Sequence, residues 1–104
     1  MAQPEALLCQ KIIKQVEAHF ECATLEKVHG SVFGAMKLDL RGSVDGYAIE
    51  IEVKLPGESP VPRQHARIRF LRKMRVITGW CTSPEDAIKL IELQLKERIN
   101  GKAP

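Results

Sequence analysis

Residues 37–54, Lys-Leu-Asp-Leu-Arg-Gly-Ser-Val-Asp-Gly-Tyr-Ala-Ile-Glu-Ile-Glu-Val-Lys, constrain this chain more than any other stretch. From Tyr47 onward apolar and polar residues alternate, which predicts a β-strand with Ile49, Ile51 and Val53 on one face. Glu50, Glu52 and Lys54 then share the other face. Asp45-Gly46 just before it is a strong hairpin signal, because a type I′ turn needs positive φ at both central residues.

Counting outward from that turn fixes the pairing. Val44 faces Tyr47, Ser43 faces Ala48, Gly42 faces Ile49, Arg41 faces Glu50 and Leu40 faces Ile51. One further rung would set Asp39 opposite Glu52, and a bulge at Gly42 would slip the whole register. Directly opposed side chains have Cβ atoms about 5 Å apart, where like charges repel. Two carboxylates and the Lys54 ammonium are thus crowded together. A divalent cation with oxygen ligands is the common reason for such crowding.

The remaining elements follow from periodicity. Helix 1 is predicted over about Pro4 to Phe20, with Pro4 at its first position and Glu5 in its first turn. Leu8, Ile12, Val16 and Phe20 form its apolar stripe, with Cys9 and Ile13 beside them and Glu5 in line at the N-terminal end. A short strand is predicted over Thr24 to Val28. The two-glycine segment from His29 to Ala35 reads as an ordinary connection. Three prolines and a glycine exclude regular structure between Leu55 and Pro62. Helix 2 spans about Pro62 or Arg63 to Met74, with Gln64 one turn before Ile68 and Leu71 on its inward stripe. A strand follows over Arg75 to Trp80, in which Trp80 reads as a packing residue. Ser83 is the N-cap of helix 3, Pro84 its first residue and Asn100-Gly101 its close. Residues 1–3 and 101–104 are expected to be flexible tails of one domain spanning 1–104. The expected class is α/β in the order α-β-β-β-α-β-α, a small mixed sheet flanked by helices.

At 104 residues the chain has room for a single core. It contains no apolar run of membrane-spanning length and no signal-peptide layout, so a cytoplasmic protein is expected. The three cysteines, Cys9, Cys22 and Cys81, show no metal or disulfide spacing and read as buried free thiols. His19, His29 and His65 likewise lack ligand spacing. The formal net charge is a modest +3. Its distribution says more: Arg63, Arg67, Arg69, Arg72, Lys73 and Arg75 lie in one segment with no acidic residue. Unopposed cations on one element suit a phosphate backbone.

Asp39, a hairpin, Glu52-Val53-Lys54, a glutamate on the preceding helix and a glutamine on the next form a specific order. In these residues, and in the Gly57 to Pro60 turn, the chain resembles the PD-(D/E)xK nucleases. Among them it is most similar to the viral replication-repair nuclease family, VRR-NUC. The likeness runs from Pro4-Glu5 to the Ser83-Pro84-Glu85-Asp86 helix start. The Gly-x-Pro-Asp that usually precedes the family's hairpin is Met36-Lys37-Leu38-Asp39 here, without the proline. Asp45 is the competing carboxylate, and the count above places it in the turn.

The resemblance implies a restriction-endonuclease-like core and a metal-dependent DNA endonuclease. Small stand-alone members resemble Holliday-junction resolvases and act as homodimers, so DNA, branched DNA included, and a second copy are the implied partners. No organic cofactor is implied. Asp39, Glu52 and the Val53 carbonyl would hold Mg²⁺ or Mn²⁺, with Glu5 binding directly or through water. Lys54 and Gln64 would complete the catalytic set. Arg63, Arg67, Arg69, Arg72, Lys73 and Lys37 would contact phosphates. Two rival readings have no catalysis: a nucleic-acid-binding module using residues 63–75, and a small interaction protein with no site at all.

Overall fold

In the computed structural model the described residues are 4–29 and 37–101. The expected glycine loop therefore lies, apart from His29, outside them, as do both tails except Gly101. The elements are α1 (Pro4–His19), β1 (Ala23–Lys27), β2 (Leu40–Val44), β3 (Tyr47–Val53), α2 (Pro62–Lys73), β4 (Ile77–Cys81) and α3 (Pro84–Ile99). Their order is the one the sequence predicts, with ends shifted by a residue or two. The four strands form one sheet in the order β1-β2-β3-β4. β1–β2 and β2–β3 are antiparallel and β3–β4 is parallel, joined through α2.

The hairpin register is the one counted from its turn: Val44 pairs with Tyr47 and Leu40 with Ile51. Asp45 and Gly46 both have positive φ, 50° and 84°, as a type I′ turn demands. Gly42 introduces no slip. Its need for glycine is steric, because a Cβ there would lie 1.9 Å from the Thr24 carbonyl oxygen of β1.

The sheet is covered on both faces. Ile49, Ile51 and Val53 pack with Cys9, Ile12 and Val16 of α1 and with Ala87, Ile91 and Leu95 of α3. The other face lies under α2, whose Ile68 and Leu71 pack with Leu38. This departs from the half-solvated strand that the alternation of β3 suggests. Glu50 and Glu52 are 6% and 4% exposed, so their face is a second interior.

Both sheet edges are closed by helix side chains, which satisfies main-chain groups that would otherwise recruit another strand. On β1 the Leu25 N–H donates to Glu17 of α1. On β4 the Gln94 amide of α3 accepts from the Thr78 N–H at 3.1 Å and donates to its carbonyl at 2.7 Å. The last strand starts at Ile77 rather than Arg75 because α2 closes through Met74 and Arg75. Arg75 takes φ of 64°, and the Arg98 guanidinium donates to its carbonyl. Cys9 and Cys81 are buried as expected, whereas Cys22 is exposed. Burial pushes the Cys9 and Cys81 thiols up to about 11 and about 12, which makes them poor nucleophiles. Among the described residues no helix is long and apolar enough to cross a membrane.

Candidate active site

The C-terminal end of β3 carries the charged cluster, and three elements converge on it. β2 begins at Leu40, and the ladder ends at the Leu40–Ile51 pair. The further rung expected at Asp39 is replaced by a side chain: the Asp39 carboxylate accepts the Val53 N–H at 3.0 Å. The Asp39 carbonyl accepts from the Val28 N–H beyond β1. Two hydrogen bonds therefore hold a half-buried carboxylate beside the strand that bears Glu52.

Glu52 is held from α2. The turn after β3 is closed by hydrogen bonds between Leu55 and Glu58, with Gly57 at φ 92°. It sends the chain back so that the first turn of α2 lies over Glu52. Gln64 Oε1 accepts the Val61 N–H at 3.0 Å, which fixes the amide so that Nε2 donates to Glu52 Oε2 at 2.7 Å. Lys54 Nζ lies 3.5 Å from the same oxygen. The Asp39 carboxylate acts on Glu52 as a neighbouring like charge. The Glu52 carboxyl is pushed up to about 7, first by burial and next by the Asp39 charge, with Lys54 opposing both. Asp39, Glu52, Lys54 and Gln64 thus stand together, with Asp39 joined through its side chain rather than through the further ladder rung expected of it.

Glu5 stands one turn before Cys9 at the N-terminal end of the buried stripe of α1. Its charge reaches the Cys9 thiol, as do those of Asp39 and Glu52. The structure shows no hydrogen bond or ion pair between Glu5 and the cluster among the described residues. Asp45 is in the hairpin turn and exposed, away from this group.

The basic segment divides in two. Arg63, Arg69, Arg72 and Lys73 are exposed along α2, and Lys37 is exposed before β2. Arg67 behaves differently from the phosphate contact expected of it. Its Nε and Nη2 donate to the two carboxylate oxygens of Glu50, both at 3.0 Å. Glu50 also accepts the Leu38 N–H at 2.9 Å, and the Glu50 hydrogen bond pushes the guanidinium further into its charged form. Arg67 is a strut between α2 and the sheet. Glu50 is the buried partner that the alternation of β3 did not reveal. The available signal was its position two residues before Glu52: Gln64 and Arg67, one helical turn apart, meet glutamates one strand repeat apart.

The donor set suits a hard divalent cation. Among the described residues no cluster of three or more His, Cys, Asp or Glu side chains is poised to hold a metal. Two convergent carboxylates are what Mg²⁺ commonly takes from a protein, with water and substrate phosphate completing its shell. A cation there would also relieve the repulsion that raises Glu52.

No family model matches the chain, and no curated protein sequence matches it. A solved structure described as a VRR_NUC domain does. It is 26% identical, covers 88% of this chain and 97% of its own, and superposes with a TM-score of 0.63. This likeness supports assigning the chain to the VRR-NUC family. Within the VRR-NUC fold, this chain without the usual proline still brings the carboxylate of residue 39 beside Glu52. The Val53 N–H does the positioning.

Proposed function

We propose that this VRR-NUC domain is a divalent-metal-dependent DNA endonuclease, structure-specific and acting as a homodimer. The observation that carries the reading is the geometry at the end of β3: the Asp39 and Glu52 carboxylates meet there with a single lysine against them. A purely structural cluster would gain little from such crowding, because burying charges costs more than an imperfect pairing returns. The likeness to a VRR_NUC domain supports nuclease chemistry.

Asp39 and Glu52 would hold Mg²⁺ or Mn²⁺, joined by the Val53 carbonyl and, through water, Glu5. Such an ion supplies a water of lowered pKa and stabilises charge on the phosphate. Lys54, half-buried with its Nζ 3.5 Å from Glu52 Oε2, would donate to the attacking water or to a phosphate oxygen. Gln64 keeps Glu52 aimed and brings the positive end of α2 to the anionic site. The exposed cations Arg63, Arg69, Arg72, Lys73 and Lys37 would bind flanking phosphates. One domain offers one such site. Cutting both strands of a branched duplex calls for two copies, and a two-fold pair supplies them.

The test is incubation with Mg²⁺ or Mn²⁺ and labelled four-way junction, flap, linear duplex and single strand. The wild type cleaves and Lys54→Ala does not, while both bind DNA. Binding that survives EDTA and Glu52→Gln, with no cleavage of any substrate, would instead establish a non-catalytic binding module.

A further inference from the structure

One large aromatic side chain stands beside the charged cluster without a part in it. Trp80, the only tryptophan of the chain, is opposite Glu52 in the parallel β3–β4 pairing. Neighbouring strands lie about 5 Å apart. Parity sets both side chains on one face. A Cβ on adjacent Gly79 would meet Leu90 of α3 at 2.5 Å, and Ile77 and Cys81 lie in the α1–α3 core. Trp80 therefore points the other way, to the face where Glu52 meets Gln64.

On that face Glu52 is 4% exposed and Trp80 is 38% exposed. Trp80 thus stands on the strand next to the buried Glu52 carboxylate and is itself open to solvent. It belongs to neither apolar cluster, which departs from the packing role expected of it. β4 is an edge strand, so no further strand covers its outer flank.

We propose that Trp80 is the platform on which a nucleobase next to the scissile phosphate stacks. This rests on the nuclease reading above and adds a substrate class to it. Every base has a π-face, so the contact is sequence-tolerant. A base inside a continuous duplex has both faces covered by its neighbours. Only an unpaired or splayed base can use the indole, so the preferred substrate carries one beside the cut: a single strand, a flap or the open centre of a junction. Trp80 is a positioning residue and takes no part in bond breaking.

Because Trp80 is the sole tryptophan, all tryptophan emission reports on it. In EDTA, a short oligothymidylate should quench that emission along the same curve as binding measured by anisotropy of a labelled strand. An abasic strand of equal length and charge should bind roughly 5- to 100-fold more weakly and leave the emission unchanged. Trp80→Ala should weaken oligothymidylate binding by a similar factor and lose the preference for bases over abasic sugar. Trp80→Phe, which keeps a ring and a near-native shape, should retain most of that preference. Binding of oligothymidylate without a change in emission overturns the proposal, and so does a Trp80→Ala variant that discriminates as well as wild type. Cleavage assays separate the two readings. A wild type that cleaves while Lys54→Ala fails, with Trp80→Ala cutting flaps normally, refutes stacking and leaves the nuclease. Quenching with no cleavage in Mg²⁺ or Mn²⁺ supports stacking and refutes the nuclease.

Discussion

Arg67→Ala should destabilise this protein rather than merely loosen its grip on DNA. Two parallel hydrogen bonds of 3.0 Å join Arg67 to Glu50, a carboxylate 6% exposed beneath α2. Removing one partner of a buried pair costs about 3–5 kcal/mol, because the other charge is left without compensation. Two features lower that figure here. Glu50 keeps the Leu38 N–H, and a quarter of the Arg67 side chain, 25%, is already in water. A cost of roughly 3 kcal/mol remains against a total stability of about 5–15 kcal/mol. For a chain of this size that lowers Tm by on the order of 15 °C. Glu50→Leu combined with Arg67→Met should recover most of the loss, since apolar replacement of a buried pair is often neutral. Urea unfolding of the wild type, the single variant and the double variant measures both effects. An Arg67→Ala protein of unchanged stability, with weaker DNA binding and a shallower salt dependence, would show that Arg67 serves phosphate and would refute the strut.

Other perturbations test other parts of the fold. The Glu52 carboxyl, pushed up from an ordinary 4.5 to about 7, binds its proton more tightly in the folded chain than in the unfolded one. Stability should therefore fall as pH rises through that window, by about 3 kcal/mol in all. Glu52→Gln should flatten the profile, and Mn²⁺ should raise Tm at pH 8 but not at pH 5; an unchanged profile in Glu52→Gln would assign the titration elsewhere. The buried Thr78 hydroxyl has no hydrogen-bond partner among the described residues. Thr78→Val should be neutral or stabilising by about 1 kcal/mol in the same unfolding assay, and a clear loss of stability would reveal a partner. Gly42→Ala drives a methyl into the Thr24 carbonyl and should cost about 2–4 kcal/mol by prising β1 from β2, read as accelerated amide exchange in β1.

How far the sequence reaches depends on whether a feature is local. The hairpin register was legible because a two-residue turn and a period of two leave one solution, and Leu40–Ile51 falls where counting puts it. The caps of α3 were legible too: Ser83 accepts the Asp86 N–H as a cap should. What alternation could not reveal is which face of the sheet meets water. β3 reads as a strand with one polar side, and only the return of α2 across that side turns Glu50 and Glu52 into buried groups. The same non-local placement converts Arg67 from an apparent phosphate contact into a strut, and leaves Trp80 beside the site rather than in a core.

Glu50 and Glu52 then form an internal control. They are the same residue, two positions apart, on one face and nearly equally buried. The fold gives Glu50 a guanidinium that meets both of its oxygens and a main-chain N–H besides. Glu52 receives a neutral amide, a lysine at 3.5 Å and a second carboxylate. A sequence selected only for stability has no reason to neutralise one and crowd the other, since an arginine at position 64 would reach Glu52 as Arg67 reaches Glu50. Local conflict with the stability of the fold is expected where function resides. Gln64→Arg therefore makes a direct test. Supplying the missing counter-ion should stabilise the fold at pH 8, measured as a rise in Tm, and should abolish metal-dependent cleavage. A more stable protein that still cleaves would mean that the crowding of Glu52 serves no cation.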